Sequence, residues 1–202
     1  GSWGSTLSLA YAVTYPKTVS GMLLRGIFLA TREEIMHTFG GGAKDYFPEA
    51  WERFCRLVPK AQRKNIVQYY LRKMLAKGGR KYLYEWARYE LSMLKLKVTE
   101  EEMEAVMQEY NYKSLAMLEA HYMKYNCFLP PNFILKNANR LKMPVSIVHG
   151  RYDVICRPLA AYQLHQKLPH SQLHFVTSGH GSNDPAMEHA LLEEMRKVET
   201  FK

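Results

Sequence analysis

The chain has little cysteine and no long apolar run. Only three of its 202 residues are cysteines, Cys55, Cys127 and Cys156, and thiols this few and this scattered do not make a disulfide framework or a CxxC metal site. No stretch approaches the roughly 18 consecutive apolar residues of a membrane-spanning helix. The first residues lack the charged-then-apolar order of a signal peptide. These absences predict a soluble cytoplasmic protein with reduced thiols and no membrane partner.

Acidic residues are also scarce: 19 Asp and Glu stand against 28 Lys and Arg, for a net charge of +9. The excess is concentrated between Arg56 and Lys81, which we call the basic stretch. A basic stripe can follow phosphates, so nucleic-acid binding is one hypothesis. Yet from Ile66 to Leu75 its cations alternate with apolar residues at amphipathic-helix spacing, and no RNP, zinc-finger or Gly-rich phosphate motif is found. We expect a solvated helix face and no nucleic-acid partner.

The apolar pattern predicts an α/β core that is interrupted by a helical insertion. The sequence is 47% hydrophobic, enough for a packed interior. From about residue 31 to 130 it is charged, rich in Met and Tyr, and helical in period, whereas α/β patterns flank this segment. The flanking patterns are helices over 5–15, 132–141, 158–168 and from 185, and strands over 22–29, 145–149 and 172–176. Such alternation builds a parallel sheet, so we predict a core domain of residues 1–30 and 131–202 and a cap domain of residues 31–130.

Three residues that can carry chemistry occur in the order Ser, Asp, His. Ser2 precedes the first helical pattern, whereas Asp153 and His180 each follow a predicted strand, at the edge where parallel sheets place reacting groups. Taken singly, Asp153 is as easily a turn or N-cap residue, and His180 a surface histidine. Their conjunction predicts a triad in which Ser2 attacks a carbonyl, His180 carries the proton and Asp153 fixes the imidazole tautomer. The Trp3 backbone N–H is the candidate oxyanion donor.

The other histidines lack metal-ligand spacing with any partner residue. These are His121, His149, His165, His170, His174 and His189. We therefore expect no metal site and no cofactor.

Several short motifs follow one another in an order that resembles a known family. They are Gly1 to Leu7, Arg25 to Leu29, Phe47 to Phe54, Trp86 to Glu90, Leu118 to Tyr122, His149 to Asp153, and Ser178 to His180. Together they span essentially the whole chain. The set resembles the proline iminopeptidases, the prolyl aminopeptidase branch of the α/β-hydrolases.

The resemblance implies release of an N-terminal proline from peptides, under a helical cap that closes the pocket above the triad. It also implies that Glu90 and Glu119 bind the free amine of the substrate. An N-terminal proline is a secondary ammonium with two N–H donors, which paired carboxylates can satisfy by charge-assisted bonds. Trp86, Tyr89 and Tyr122 are the residues that would wall the pyrrolidine ring.

The family's first strands and its upstream oxyanion loop would lie before residue 1. We therefore expect the C-terminal part of such a hydrolase, with the last three strands of its sheet, an exposed apolar edge, and a missing N-terminal fragment as a further partner. With half of its oxyanion hole absent, the chain alone would be a poor catalyst. Two alternatives stay open: another capped α/β-hydrolase, such as an esterase or amidase, and a non-catalytic fragment that binds a partner or nucleic acid.

Overall fold

The structure, a computed structural model, describes residues 1–109 and 111–198. Three strands and a larger number of helices follow one another in these residues. In chain order the elements are α1 (Trp3–Thr14), β1 (Met22–Arg25), α2 (Arg32–Phe39), α3 (Pro48–Arg56), α4 (Ile66–Met74), α5 (Arg80–Leu91), α6 (Glu100–Glu109), α7 (Tyr112–Lys124), α8 (Phe133–Asn137), β2 (Val145–Gly150), α9 (Pro158–Lys167), β3 (Gln172–Val176) and α10 (Pro185–Val198).

The chain divides into two compact units. One consists of Gly1–Glu34 and Leu129–Lys202, and the other of Ile35–Phe128. We call them the core unit and the helical unit, and each is described by itself. The core unit contains all three strands of the described residues.

The core unit is built on a parallel sheet of strand order β1-β2-β3. Every residue of the central strand β2 is buried, as expected of a parallel strand covered on both faces. Its register places Ile147 beside Leu24 of β1 and Leu173 of β3. Apolar side chains of α1, α8 and α9, such as Leu9, Ile134 and Leu164, pack with the strands in one hydrophobic core. The predicted α/β class with a parallel sheet is confirmed.

The first strand is shorter than predicted. The apolar run suggested a strand over 22–29, whereas β1 ends at Arg25 because Gly26 has a φ of 51° and turns the chain out of the extended conformation. Ile27 then makes an isolated parallel bridge with Ser2. This turn places the residues after β1 against the start of α1.

The helical unit is organised around stacked aromatic rings. Phe54 of α3 lies between Tyr70 and Tyr89, with ring-centroid distances of 4.3 and 4.4 Å. Trp86 of α5 stacks on Phe39 at 4.3 Å. Such pairs add about 0.5–1.5 kcal/mol each beyond the area that they bury, so these rings hold α3, α4 and α5 together.

The basic stretch does not form one continuous helix. Arg56 ends α3, a 3₁₀ helix follows at Lys60–Asn65, and α4 begins at Ile66. Within α4 most of the apolar residues are buried, including Ile66, Tyr70 and Met74, as the amphipathic spacing predicts. In the part of the chain that the structure describes, no helix is long and apolar enough to cross a membrane.

Candidate active site

The core unit brings Ser2, His180 and Asp153 into one hydrogen-bonded chain. His180 Nδ1 lies 2.8 Å from Asp153 Oδ2, and His180 Nε2 lies 3.0 Å from Ser2 Oγ. Because a carboxylate only accepts hydrogen bonds, the Nδ1 atom carries the proton and Nε2 accepts from the serine hydroxyl. His180 and Asp153 are 4% and 3% exposed. The geometry is that of a nucleophile, its base and the group that orients the base.

Ser2 is held in a sharp turn directly before α1. Its φ of 54° and ψ of −129° are rare for a residue with a side chain, and backbone strain of this kind costs on the order of 1–3 kcal/mol. The Ser2 N–H contacts the Arg25 and Gly26 carbonyls at 3.2 and 3.0 Å. Trp3 is the first residue of the helix, so its backbone N–H belongs to the positive end of the helix dipole.

The residues after Ser2 tie this turn to the loop that follows β1. The Ser5 hydroxyl donates to the Ser2 carbonyl at 2.7 Å and accepts the Phe28 N–H at 3.1 Å. The Thr6 hydroxyl donates to the Phe28 carbonyl at 2.6 Å. Further along that loop, the Glu34 carboxylate accepts the N–H of Leu29 at 3.1 Å. The strained turn is therefore supported by side chains from its own helix.

The Asp153 loop and the His180 loop are in close contact. Gly150 ends β2, and a Cβ added there would lie 2.1 Å from the Gly179 carbonyl oxygen, so only glycine permits this approach. The Tyr152 N–H donates to the Ser178 carbonyl at 3.0 Å. Asp153 also accepts the Cys156 N–H on Oδ1 at 2.8 Å, which leaves Oδ2 for the histidine.

His149 supports the site in a way that its position in the sequence does not predict. The imidazole is fully buried, accepts the Ile27 N–H on Nδ1 at 3.1 Å and donates from Nε2 to the Cys156 carbonyl at 2.7 Å. Burial lowers the pKa of His149, so the ring is neutral, as these two bonds require. It joins the loop after β1 to the loop that carries Asp153.

Arg25 is a second supporting residue whose role is not evident from the sequence. Its guanidinium donates to the His180 backbone carbonyl. A Cβ added to Gly1 would lie 2.6 Å from the guanidinium, so residue 1 packs directly on it. Arg25 and His149 each begin a motif that carries the family resemblance and lie at or next to the end of a strand, but neither signal indicates the contact that the residue makes.

Cys156 lies beside the triad. Its side chain is fully buried, and burial raises the pKa of the thiol well above its ordinary value. The candidate ligand atoms of Asp153, Cys156 and His180 fall within 4.8 Å of one another. Because the aspartate and histidine are already bonded to each other and the thiol is protonated, we attribute this cluster to the triad and not to a metal site.

In the helical unit, the structure brings Glu119 of α7 close to Trp86 and Glu90 of α5. The Trp86 indole N–H donates to Glu119 Oε2 at 2.7 Å. Burial, followed by the charge of Glu90, raises the pKa of Glu119 well above its ordinary value, and the two carboxyl groups share a hydrogen bond. The predicted amine-binding residues therefore form a carboxyl pair.

The aromatic residues of the same prediction have different surroundings. Trp86 and Tyr89 are 0% and 3% exposed within the aromatic core, and the Tyr89 hydroxyl donates to the Thr38 carbonyl at 2.8 Å. Tyr122 is half-buried and packs edge-on against Phe128. Trp86 and Tyr89 thus contact their neighbours with most of their ring surface.

The parallel sheet and the Ser-His-Asp site define the class of protein. Residues 1–185 match the family described as alpha/beta hydrolase fold, and the chain belongs to this family. It is also similar to proline iminopeptidases, which confirms the resemblance: 32% identity to the Arabidopsis thaliana protein of that name, over all of this chain and 55% of that protein. The chain is 34% identical to the probable proline iminopeptidase of Leptolyngbya boryana, over 96% of this chain and 62% of that protein. It is 33% identical to the proline iminopeptidase of Neisseria meningitidis serogroup B, over 98% of this chain and 64% of that protein.

A solved structure shows the same fold. The thermophilic esterase of Thermogutta terrifontis aligns over 99% of this chain and 63% of its own, with a TM-score of 0.53 and 16% identity. The chain spans less than two thirds of the length of the curated relatives named above.

Proposed function

We propose that the protein is a serine aminopeptidase that releases N-terminal proline from peptides. The observation that carries the proposal is the chain of hydrogen bonds from Ser2 through His180 to Asp153. The similarity to proline iminopeptidases along the whole chain supports the substrate class. The three cysteines are buried and none of them is in a disulfide, which favours a reducing compartment such as the cytoplasm.

In this proposal the reaction passes through an acyl-enzyme. Ser2 Oγ attacks the carbonyl carbon of the N-terminal proline while its proton passes to His180 Nε2. The Trp3 N–H donates to the oxyanion, and His180 returns the proton to the leaving amine as the C–N bond breaks. A water molecule, deprotonated by His180, then hydrolyses the ester and releases proline. Trp3 is the only oxyanion donor that we assign, so we expect slow turnover, since one such donor is worth about 10²–10³ in rate.

The carboxyl pair provides the proposed specificity. Glu90 and Glu119 would accept the two N–H groups of a prolyl ammonium, and the half-buried Tyr122 would supply apolar surface for the ring. Trp86 and Tyr89 are buried in the aromatic core and would not line the pocket directly. An internal peptide nitrogen carries no charge to balance a buried anionic group. The pair would thus restrict the enzyme to free N-termini.

Labelling with a fluorophosphonate probe tests the nucleophile. We expect the probe to attach to Ser2 and the label to be lost in Ser2→Ala and reduced at least 100-fold in His180→Ala. Ser8→Ala, which removes an exposed hydroxyl from the same helix, is the matched control and should label normally. Labelling that persists in Ser2→Ala would contradict the assignment.

A second experiment tests the amine requirement. The unmodified chain should hydrolyse a prolyl amide substrate faster than the Ser2→Ala variant does. Acetylation of the substrate amine should abolish this hydrolysis. Glu119→Gln should raise KM at least tenfold. Turnover that is indifferent to acetylation and to Glu119→Gln would favour the alternative of a capped esterase or amidase.

A further inference from the structure

The Trp86 indole is fixed by packing on every side. The residue is fully buried; its ring stacks on Phe39 at 4.3 Å with an interplanar angle of 17° and meets the edges of Phe54 and Tyr70 at 5.7 and 5.6 Å. A ring held in this way has a single orientation available. Its N–H group therefore points in a fixed direction, toward the Glu119 carboxylate at 2.7 Å.

The surroundings of the Glu119 carboxyl group disfavour its ionised form. Burial and the charge of Glu90 both raise the pKa of Glu119, and among the causes of the shift the Trp86 N–H is the one that lowers it. Of the titratable side chains around Glu119, Glu90 on α5 is the one whose charge acts on it. A donated hydrogen bond thus offsets part of the cost of keeping Glu119 ionised.

We infer that Trp86 is a positioning residue, which orients the Glu119 carboxyl group to receive the substrate's amine, and not an open wall of the proline pocket. The inference rests on the proposed function, because it assigns the carboxyl pair to an ammonium. In this assignment the prolyl ammonium donates one N–H to Glu119 and the other to Glu90, in place of the hydrogen bond that the two carboxyl groups share, while Trp86 keeps its bond to Glu119 Oε2. Trp86 itself need not touch the substrate.

The indole N–H provides a direct readout that needs no catalysis. The chain contains three tryptophans, Trp3, Trp51 and Trp86, so a ¹H–¹⁵N spectrum has three indole signals, and Trp86→Phe identifies the third by its loss. We expect the Trp86 signal to shift with pH, with a midpoint above the ordinary glutamate value of about 4.3. The shift should vanish in Glu119→Gln. A Trp86 signal that ignores both pH and Glu119→Gln would overturn the inference.

Binding tests the positioning role. In a Ser2→Ala background, which prevents turnover, Trp86→Phe keeps an aromatic ring but loses the donor, and we expect it to weaken binding of L-prolinamide about tenfold. In a Glu119→Gln background the same substitution should have little further effect. Tyr70→Phe is the matched control: it removes the buried hydroxyl that donates to the Phe54 carbonyl at 2.6 Å and should leave binding unchanged.

The pH profile separates positioning from structure. Removal of a donor to the ionised form raises the pKa of Glu119 further, so the acidic limb of L-prolinamide binding should move to higher pH in Trp86→Phe and not in Tyr70→Phe. Equal binding and an unshifted limb in Trp86→Phe would overturn the inference while leaving the proposed function intact. Failure of the Ser2→Ala parent to bind L-prolinamide, with the Trp86 titration intact, would instead overturn the proposed substrate class and the amine-binding role with it.

Discussion

Gly26 combines an unusual backbone conformation with close contact to Ser2 and His180. It has a φ of 51°, and its carbonyl accepts the N–H of Ser2. A Cβ added there would lie 3.3 Å from His180 Cε1 and 3.6 Å from the Ser2 nitrogen. Any side chain at this position would be strained and would also press on the imidazole.

We expect Gly26→Ala to impair catalysis more than folding. The strained φ should cost about 1–2 kcal/mol of stability, whereas displacement of His180 should slow fluorophosphonate labelling of Ser2 about 10- to 100-fold. Gly4→Ala is the control, because a Cβ on Gly4 meets nothing within 4 Å and alanine favours the helix. A Gly26→Ala variant that labels at the normal rate would show that the close approach is unimportant.

Residues with a local signal could be singled out from the sequence alone. Ser2, Asp153 and His180 each follow or precede a recognisable element, and their chain order is typical of the fold. His149 and Trp86 were different, because their contacts join elements far apart in the chain. The hydrogen bond between Ile27 and His149 spans 122 residues, and the sequence around either residue does not predict it.

His149 lies near the end of β2, and its ring joins the loop after β1 to the loop after β2. A phenylalanine would fill similar space but leave the Ile27 N–H and the Cys156 carbonyl without their partner. Each such loss costs about 1–3 kcal/mol when the group is buried. We expect His149→Phe to lower Tm by roughly 6–12 °C, measured by circular dichroism at pH 7.5. His189→Phe, on a side chain that is 76% exposed, should leave Tm unchanged.

His149 should also make the stability of the folded chain depend on pH. Its pKa is lowered in the folded state, so the unfolded chain binds the proton more readily. The stabilisation by His149 is therefore complete above the unfolded value of about 6.5 and is lost as the pH falls below it. Between pH 7.5 and 5.5 the Tm of the unmodified chain should fall more than that of His149→Phe. Parallel curves for the two proteins would contradict this assignment.

The bounds of helices and strands were predictable where the hydrophobic pattern and the glycine and proline positions indicated the same ends. The strand expected over 172–176 has those bounds, and α9 begins at Pro158, where a proline in the first turn is favourable. The strand expected over 22–29 failed because Gly26 adopts a positive φ that a hydrophobic run does not reveal. The predicted helix over 132–141 is also shorter, with α8 ending at Asn137 before a 3₁₀ turn.

At the scale of the whole molecule, we expect the outer edge of β1 to favour association between chains. β1 is an edge strand of the sheet, and an open groove of about 490 Å³ beside it is lined by residues that include Leu7, Tyr11, Met22 and Leu23. Leu7 and Tyr11 are 52% and 51% exposed. Unpaired strand edges with apolar surroundings invite pairing with another chain.

We therefore expect the chain to self-associate at micromolar concentration and Leu23→Lys to shift it toward monomer in sedimentation velocity. A charge on an edge strand opposes edge-to-edge pairing. Leu192→Lys adds the same charge to an exposed position of α10 and should not change the association. A chain that is monomeric at these concentrations would contradict the prediction.

Several cations that contribute to the net charge of +9 contact neighbours within the helical unit. Arg53 pairs with Glu85 at 2.9 Å, Arg63 donates to the Val58 carbonyl, and Arg72 lies over the Tyr69 ring at 5.4 Å. Cations held in this way are poorly arranged to follow a phosphate backbone.

We therefore expect oligonucleotide binding only at low salt, with a dissociation constant weaker than about 100 µM at 0.15 M salt, as measured by fluorescence anisotropy. Neutralisation of Lys64, Arg72 and Lys73 should leave Ser2 labelling unchanged, because these side chains belong to the helical unit and carry no part of the triad. Micromolar binding at 0.15 M salt that the triple variant loses would favour the binding alternative. The positive charge would then serve a partner, whereas weak binding indicates that it mainly keeps the helical unit hydrated.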